Sequence, residues 1–133
     1  MTGAGSRRGR YVRLCRAEGG EALPVRARRC DTFFCRLRGL TFRRSLGEEE
    51  GLLFVEAIAS RLGATIHMFF VFFDIGVIWL DDAGVVVDTV VARPFRPYYA
   101  PRAAARYYLE AAPSLTGQVR VGERLLIEAV EEL

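Results

Sequence analysis

One histidine, one carboxylate set among aromatics and a run of arginines are the residues of this chain whose chemistry asks for a site. His67 is the single histidine, and Asp74 follows in the same apolar stretch, between Phe73 and Ile75. A carboxylate in such surroundings is costly to bury unless a cation forks onto it. Arginine is the only cation available, because all 19 basic residues are Arg. Arg93, Arg96, Arg102 and Arg106 alternate with Phe95, Tyr98, Tyr99, Tyr107 and Tyr108. Guanidinium forks beside aromatic rings suit small anionic or planar ligands. The same ingredients describe a proline-stiffened loop whose rings cap a core. The expected binding residues are His67, Asp74, Arg93, Arg96, Arg102, Arg106 and Tyr98. Asp74 is expected to be buried against an arginine at the inner or mouth side of a sheet.

Other chemistries find less support. The cysteines are Cys15, Cys30 and Cys35, an odd number, and Arg13 and Arg16 interrupt any apolar leader. Free thiols in the cytoplasm are therefore expected. A zinc site from the three cysteines and His67 departs from knuckle spacing, so neither metal nor cofactor is expected. Nothing places Cys35 and His67 together as nucleophile and base. Phosphate loops, His-Glu-x-x-His and Gly-x-Ser-x-Gly do not occur in the sequence, and no catalytic residue is assigned. A non-enzymatic binding module stands ahead of a small hydrolase of unassigned chemistry.

Charge is unevenly distributed. Residues 1–44 carry 12 Arg against Glu18, Glu21 and Asp31, whereas residues 45–133 carry 7 Arg against 13 acids. A basic first third can meet nucleic acid through residues 7–44, or the chain's own acidic remainder. The second reading is preferred, since the arginines lie on several short elements rather than one stripe. Nucleic acid is thus a weaker partner than a small molecule. The most apolar run, from Ala64 to Leu80, is shorter than a membrane span needs and has Asp74 within it, so no membrane is expected among the partners.

These residues must be held by strands. The 133-residue length fits one domain, read as a basic disordered tail over 1–9 and a mainly-β domain over 10–133. Strands are expected at 11–17 and 23–30, and a short helix over 31–38 with Asp31 or Thr32 as N-cap and Gly39 as stop. Further strands are expected at 52–55, twice within 64–80, and at 85–91, where Asp81-Asp82-Ala83-Gly84 turns a hairpin over 75–91. Residues 93–102 hold three prolines and read as irregular. A strand at 106–111, a helical turn at 113–118 and a closing strand at 125–130 complete the list. About seven strands with one or two short helices suggest a sandwich or small barrel. Its core is expected to include Phe70, Phe73, Ile78, Leu80, Val86, Leu109 and Leu126.

Several of these segments together resemble the domain-of-unknown-function 192 family. They are Asp31–Leu46 with its Arg38-Gly39-Leu40, the run from His67 through Trp79-Leu80-Asp81, Arg93-Pro94-Phe95-Arg96, Leu109-Glu110 and Val121-Gly122-Glu123-Arg124. The resemblance covers about residues 25–130. It implies a compact, mainly-β, sandwich-like fold and brings no assigned activity. Where the family pattern reads Met-x-x-Pro-Ile-Asp-Val, this chain has Gly76 at the aspartate position and Asp74 at the proline position. Asp74 either supplies a displaced carboxylate or leaves that role unfilled.

Overall fold

A computed structural model describes residues 10–130, apart from the side chains of Phe33 and Phe34. The tail expected over 1–9 lies outside these residues. Seven strands form one mixed sheet: β1 Tyr11–Arg16, β2 Arg26–Cys30, β3 Glu50–Ser60, β4 Ile75–Leu80, β5 Val86–Ala92, β6 Ala105–Ala111 and β7 Leu125–Val130. Helix α1 spans Phe33–Arg38, and a 3-10 helix spans Pro113–Gln118. The strand order is β5-β4-β6-β3-β2-β1-β7, and the sheet does not close into a barrel. Only β2 and β3 run parallel, joined through α1, as a parallel pair requires a crossover.

Both faces of the sheet are covered. On one face Leu14, Ala27, Leu53, Ile78, Leu80 and Leu109 form a core closed by Leu115 of the 3-10 helix. On the other, Leu52, Phe54, Val77, Trp79 and Tyr108 are covered by Leu40 and by Ala64, Ile66, Met68 and Val71. Strand β4 is buried at all six positions. That is why its sequence reads as a continuous apolar run rather than an alternation.

Helix α1 starts and stops where its sequence asks. Thr32 Oγ1 accepts the Cys35 N–H at 3.1 Å, and the Gly39 N–H returns to the Cys35 carbonyl at 2.8 Å. The 75–91 hairpin is present as β4 and β5.

Three expectations are corrected. Residues 64–74 form no strand: they cover the sheet, bridged at Ile66–Tyr99 and tied by Trp79 Nε1 donating to the Ala64 carbonyl at 2.8 Å. Burial explains the apolarity of Ala64, Ile66, Met68 and Val71, whereas Phe69 and Phe72 in the same segment are exposed. Phe70 and Leu126 leave the expected core, at 50 % and 38 % exposure. Phe70 sits in a turn, and Leu126 is the outward neighbour of inward Leu125 on edge strand β7. Cys30 and Cys35 are not free thiols but a disulfide, since the end of β2 and the first turn of α1 bring their Cα atoms to 5.4 Å. Cys15 remains a thiol, buried, with its pKa pushed up by that burial and by Glu128.

The arginine-rich first third meets the acidic remainder. Arg13 pairs with Glu128 at 3.2 Å, Arg16 with Glu123, Arg36 with Glu56 at 3.6 Å and Arg43 with Glu50 at 2.7 Å. The pairs of Arg13 and Arg36 tie β1 to β7 and α1 to β3, and that of Arg16 ties β1 to the turn before β7. No helix among the described residues is long and apolar enough to cross a membrane.

Candidate functional site

The two segments expected to frame a site lie side by side. Ile66 and Tyr99 exchange backbone hydrogen bonds at 2.9 Å, the Met68 N–H donates to the Arg96 carbonyl at 2.9 Å, and the Phe95 N–H donates to the Met68 carbonyl at 2.7 Å. Asp74 and Arg93 pair at 3.3 Å, but at the surface, with side chains 38 % and 63 % exposed. The partner is the expected one and the burial is not: Asp74 precedes β4 rather than lying within it. The Arg93 N–H also donates to the Tyr99 hydroxyl at 2.9 Å.

The remaining arginines disperse. Arg102 binds Asp88 through its guanidinium at 3.3 Å and its backbone N–H at 3.0 Å. Arg106 donates to the Glu56 carbonyl at 3.1 Å and lies over the Tyr107 ring at 5.3 Å. Arg96 is exposed. Tyr98 is exposed beside a shallow groove of about 390 Å3 shared with Arg61, Leu62, Thr65 and Ala100. Of the seven expected residues, the structure joins Asp74 to Arg93 and sets His67, alone, on the wall of an inner cavity.

That cavity, about 60 Å3, lies between the C-terminal end of α1 and the 65–71 cover, with Phe54, Tyr108 and Glu110 as its floor. A single water needs roughly 10–15 Å3 on this measure, so the space fits several waters or a ligand of a few heavy atoms. Tyr108 and Glu110 share a sheet face because strand side chains alternate. Glu110 stands in the middle of the sheet, opposite Leu52 of β3 and Val77 of β4. It is the single charged residue in the core of the described residues, and the 6 % exposure it keeps opens on the cavity it lines. No ion pair among the described residues engages it. Burial pushes its pKa up to about 8, so at neutral pH it is a carboxylic acid, both donor and acceptor.

Tyr108 stacks on Phe54 with ring centroids 4.8 Å apart and gives its hydroxyl proton to Glu56 at 3.2 Å. Burial first, then Glu56 and Glu110, hold the Tyr108 hydroxyl protonated. Gly39 lies above: a Cβ there would meet Phe54 Cζ at 3.4 Å and Glu110 Oε1 at 3.9 Å. His67 is exposed, and its Nδ1 accepts the Phe69 N–H at 3.2 Å.

Arg38 and Gly39 also wall a neighbouring open groove of about 470 Å3, lined by Arg28, Thr32, Cys35, Arg43 and Leu52. There the hydrogen bond from Arg43 holds the Glu50 carboxyl below its usual range. Arg28 and Arg38 have no ion-pair partner among the described residues. The arrangement is a basic groove backed by a buried acid, with no group of three metal-ligating side chains among the described residues.

Sequence reasoning passed over Glu110, Tyr108, Arg28 and Arg38 as site residues. One signal was present: Leu109-Glu110-Ala111-Ala112 sets a carboxylate in an apolar strand at the parity of Tyr108.

The DUF192 family model, described as Uncharacterized ACR, COG1430, matches residues 15–127. The chain belongs to the DUF192 family. A UPF0127 protein of Thermococcus gammatolerans is 44 % identical over 97 residues, which is 73 % of this chain and 61 % of the relative. UPF0127 protein TK1120 of Thermococcus kodakarensis is 39 % identical over 108 residues, 81 % of this chain and 67 % of the relative. This DUF192 chain therefore spans about 61 % of the first relative's length and 67 % of the second's. A crystal structure of a "putative transcription regulator" from Sinorhizobium meliloti 1021 superposes with a TM-score of 0.75 at 21 % identity, over 88 % of this chain and 92 % of the other. A protein of unknown function from Novosphingobium aromaticivorans gives 0.74 at 21 % identity, over 87 % and 83 %. At such identity the likeness is one of fold. Within the DUF192 pattern, Arg38-Gly39-Leu40, His67 and Glu110 line the inner cavity, whereas Val121–Arg124 line a separate open groove with Arg16 and Arg120.

Proposed function

We propose that the protein is a binding module for a small anionic ligand, taken where the end of α1 meets Glu110. The observation that carries this reading is the buried acid of Glu110, opening on a cavity whose outer wall belongs to a basic groove. A protonated carboxyl donates a hydrogen bond to an anionic oxygen without repelling it, and Arg28 and Arg38 supply the charge. The ligand class is the one expected from sequence, moved from the 93–106 arginines to those of β2 and α1. We place the module in the cytoplasm, where an unpaired thiol such as Cys15 persists. A Cys30–Cys35 bond retained in protein alkylated at lysis would count against that compartment.

Thermal shift and calorimetry with inorganic phosphate, acetate and lactate test the site. At least one probe should raise the melting temperature in proportion to the logarithm of its concentration. Arg38→Ala and Glu110→Ala should each abolish the shift. Wild-type protein indifferent to all three at millimolar concentration would overturn the reading.

A further inference from the structure

Five phenylalanines stand out of the surface on three adjacent loops. Phe42 is 64 % exposed, Phe69 46 %, Phe70 50 %, Phe72 52 % and Phe95 47 %. Phe42 stacks on Phe70 at 5.0 Å, Phe70 meets Phe95 edge-on at 5.8 Å, and Phe72 meets Phe95 at 5.5 Å. The backbones are laced too, with the Phe42 N–H donating to the Phe70 carbonyl at 2.9 Å. Among the described residues, three non-glycine residues have positive φ: Phe42 at 67°, Phe70 at 59° and Phe95 at 64°. All three belong to this cluster. A bulky side chain is strained in that conformation, which glycine or asparagine adopts more readily. Folding therefore gives no reason for phenylalanine at these positions, and strain gathered in one place points to a use.

The chemistry of the surroundings narrows that use. None of the four cavities described above is lined by these rings, and their exposure turns the patch outward. Its three loops carry Arg43, Arg44, Arg61, Arg93, Arg96 and Arg102 against Glu48, Glu49 and Asp74, with Arg43 paired to Glu50 of β3 and Arg93 to Asp74. A second copy docked here about a two-fold axis would set these arginines against their own kind. Single-stranded nucleic acid stacks bases on free ring faces, and here the rings engage one another. What remains is a partner that is anionic outside, apolar beneath, and able to mould itself to an outward-facing patch. We propose that this aromatic patch docks the protein on an anionic lipid surface. The rings enter the boundary between headgroups and acyl chains while the arginines stay with the phosphates. Such contact is peripheral, and it departs from the expectation, drawn from the Ala64–Leu80 run, that no membrane is among the partners.

Co-sedimentation of the full chain with lipid vesicles tests this. Wild-type protein should pellet with vesicles of phosphatidylcholine mixed with phosphatidylglycerol, less with phosphatidylcholine alone, and less as salt rises. The triple variant Phe42→Asn, Phe70→Asn, Phe95→Asn should melt no lower than wild type, because asparagine tolerates these dihedrals, yet lose about tenfold or more in partition. Arg44→Gln with Arg96→Gln should weaken binding to the mixed vesicles alone, and this pair carries the test should the triple variant unfold. Wild-type protein that stays in the supernatant with mixed vesicles would overturn the proposal. So would variants that pellet like wild type, or ring-dependent binding of a thymidine oligonucleotide by protein that ignores vesicles.

Discussion

Glu110 is an acid whose folded state holds a proton that the unfolded chain releases. An ordinary glutamate titrates near 4.5, and burial raises this one to about 8. Between those values the native state binds more protons, so stability falls as pH rises from about 4.5 to about 8 and levels off above. Glu110→Gln keeps the shape and removes the titration. It should leave stability near pH 4.5 almost unchanged and raise it by about 3 kcal/mol at pH 7, with the slope between abolished. Urea denaturation of both proteins across that range measures it; parallel pH profiles would refute the buried acid. Asp74 gives the opposite case. Its pairing with an arginine was legible, because a carboxylate between Phe73 and Ile75 in an all-arginine chain has one choice of partner. Its exposure was not, because the start of β4 at Ile75 depends on long-range pairing. Asp74→Ala should consequently change stability by less than about 0.5 kcal/mol, and a loss of several times that in chemical denaturation would restore the buried-pair reading. Gly76 resolves the family's missing carboxylate. A Cβ there would come within 2.8 Å of the Ala112 carbonyl and 2.9 Å of Thr116, so the 3-10 helix occupies the space a side chain would need.

Helix α1 has six residues, too few to persist by propensity alone. Its cap at Thr32, its stop at Gly39 and the Cys30–Cys35 bond hold it over the sheet, where Leu40 reaches the core at 2 % exposure. Closing so short a loop in the unfolded chain corresponds to about 2 kcal/mol. Cys30→Ser with Cys35→Ser should lower stability by about that amount and weaken ligand binding at Arg38 in the same measurement; unchanged denaturation midpoints would show that the helix stands without the bond. Local signals made this helix and the β4–β5 hairpin readable: capping residues, a stop glycine and an Asp-Asp-Ala-Gly turn. The cover over 64–74 reads like a strand because apolarity carries no information on hydrogen-bond pattern. Ala64, Ile66 and Met68 keep a strand's period of two, each at 6 % exposure or less, without belonging to a ladder. The disulfide escaped for a related reason, since its geometry depends on where β2 ends against α1.

At the scale of the molecule, strand number and class followed from periodicity, while the choice between sandwich and barrel rested on how the two edge strands treat each other. Strands β5 and β7 are edges of an open sheet, yet their starting ends touch. The Val86 N–H donates to the Glu123 carbonyl at 2.8 Å, the Gly122 N–H to Val86 at 2.8 Å, and the Leu125 N–H to Gly84 at 2.9 Å. These bonds blunt two edges that would otherwise offer unpaired backbone to other chains. They also fix the hairpin turn against the open groove lined by Arg120, Val121 and Arg124. Two glycines separate the contact from the conformation. Gly84 has φ +85° and a Cβ there would fall 2.4 Å from the Leu125 carbonyl oxygen, whereas Gly122 has φ +98° and nothing within 4 Å. Alanine strains the backbone at both, by roughly 1 kcal/mol. At Gly84 it must in addition force the two edges apart, because backbone cannot swing away as a side-chain tip can. Gly84→Ala should therefore cost about 2 kcal/mol more than Gly122→Ala and raise the tendency to aggregate at high concentration as both edges open. Denaturation midpoints and light scattering on the two variants decide it: equal losses would mean that the contact between β5 and β7 contributes nothing, and that the sheet's edges are protected by their own twist and charge.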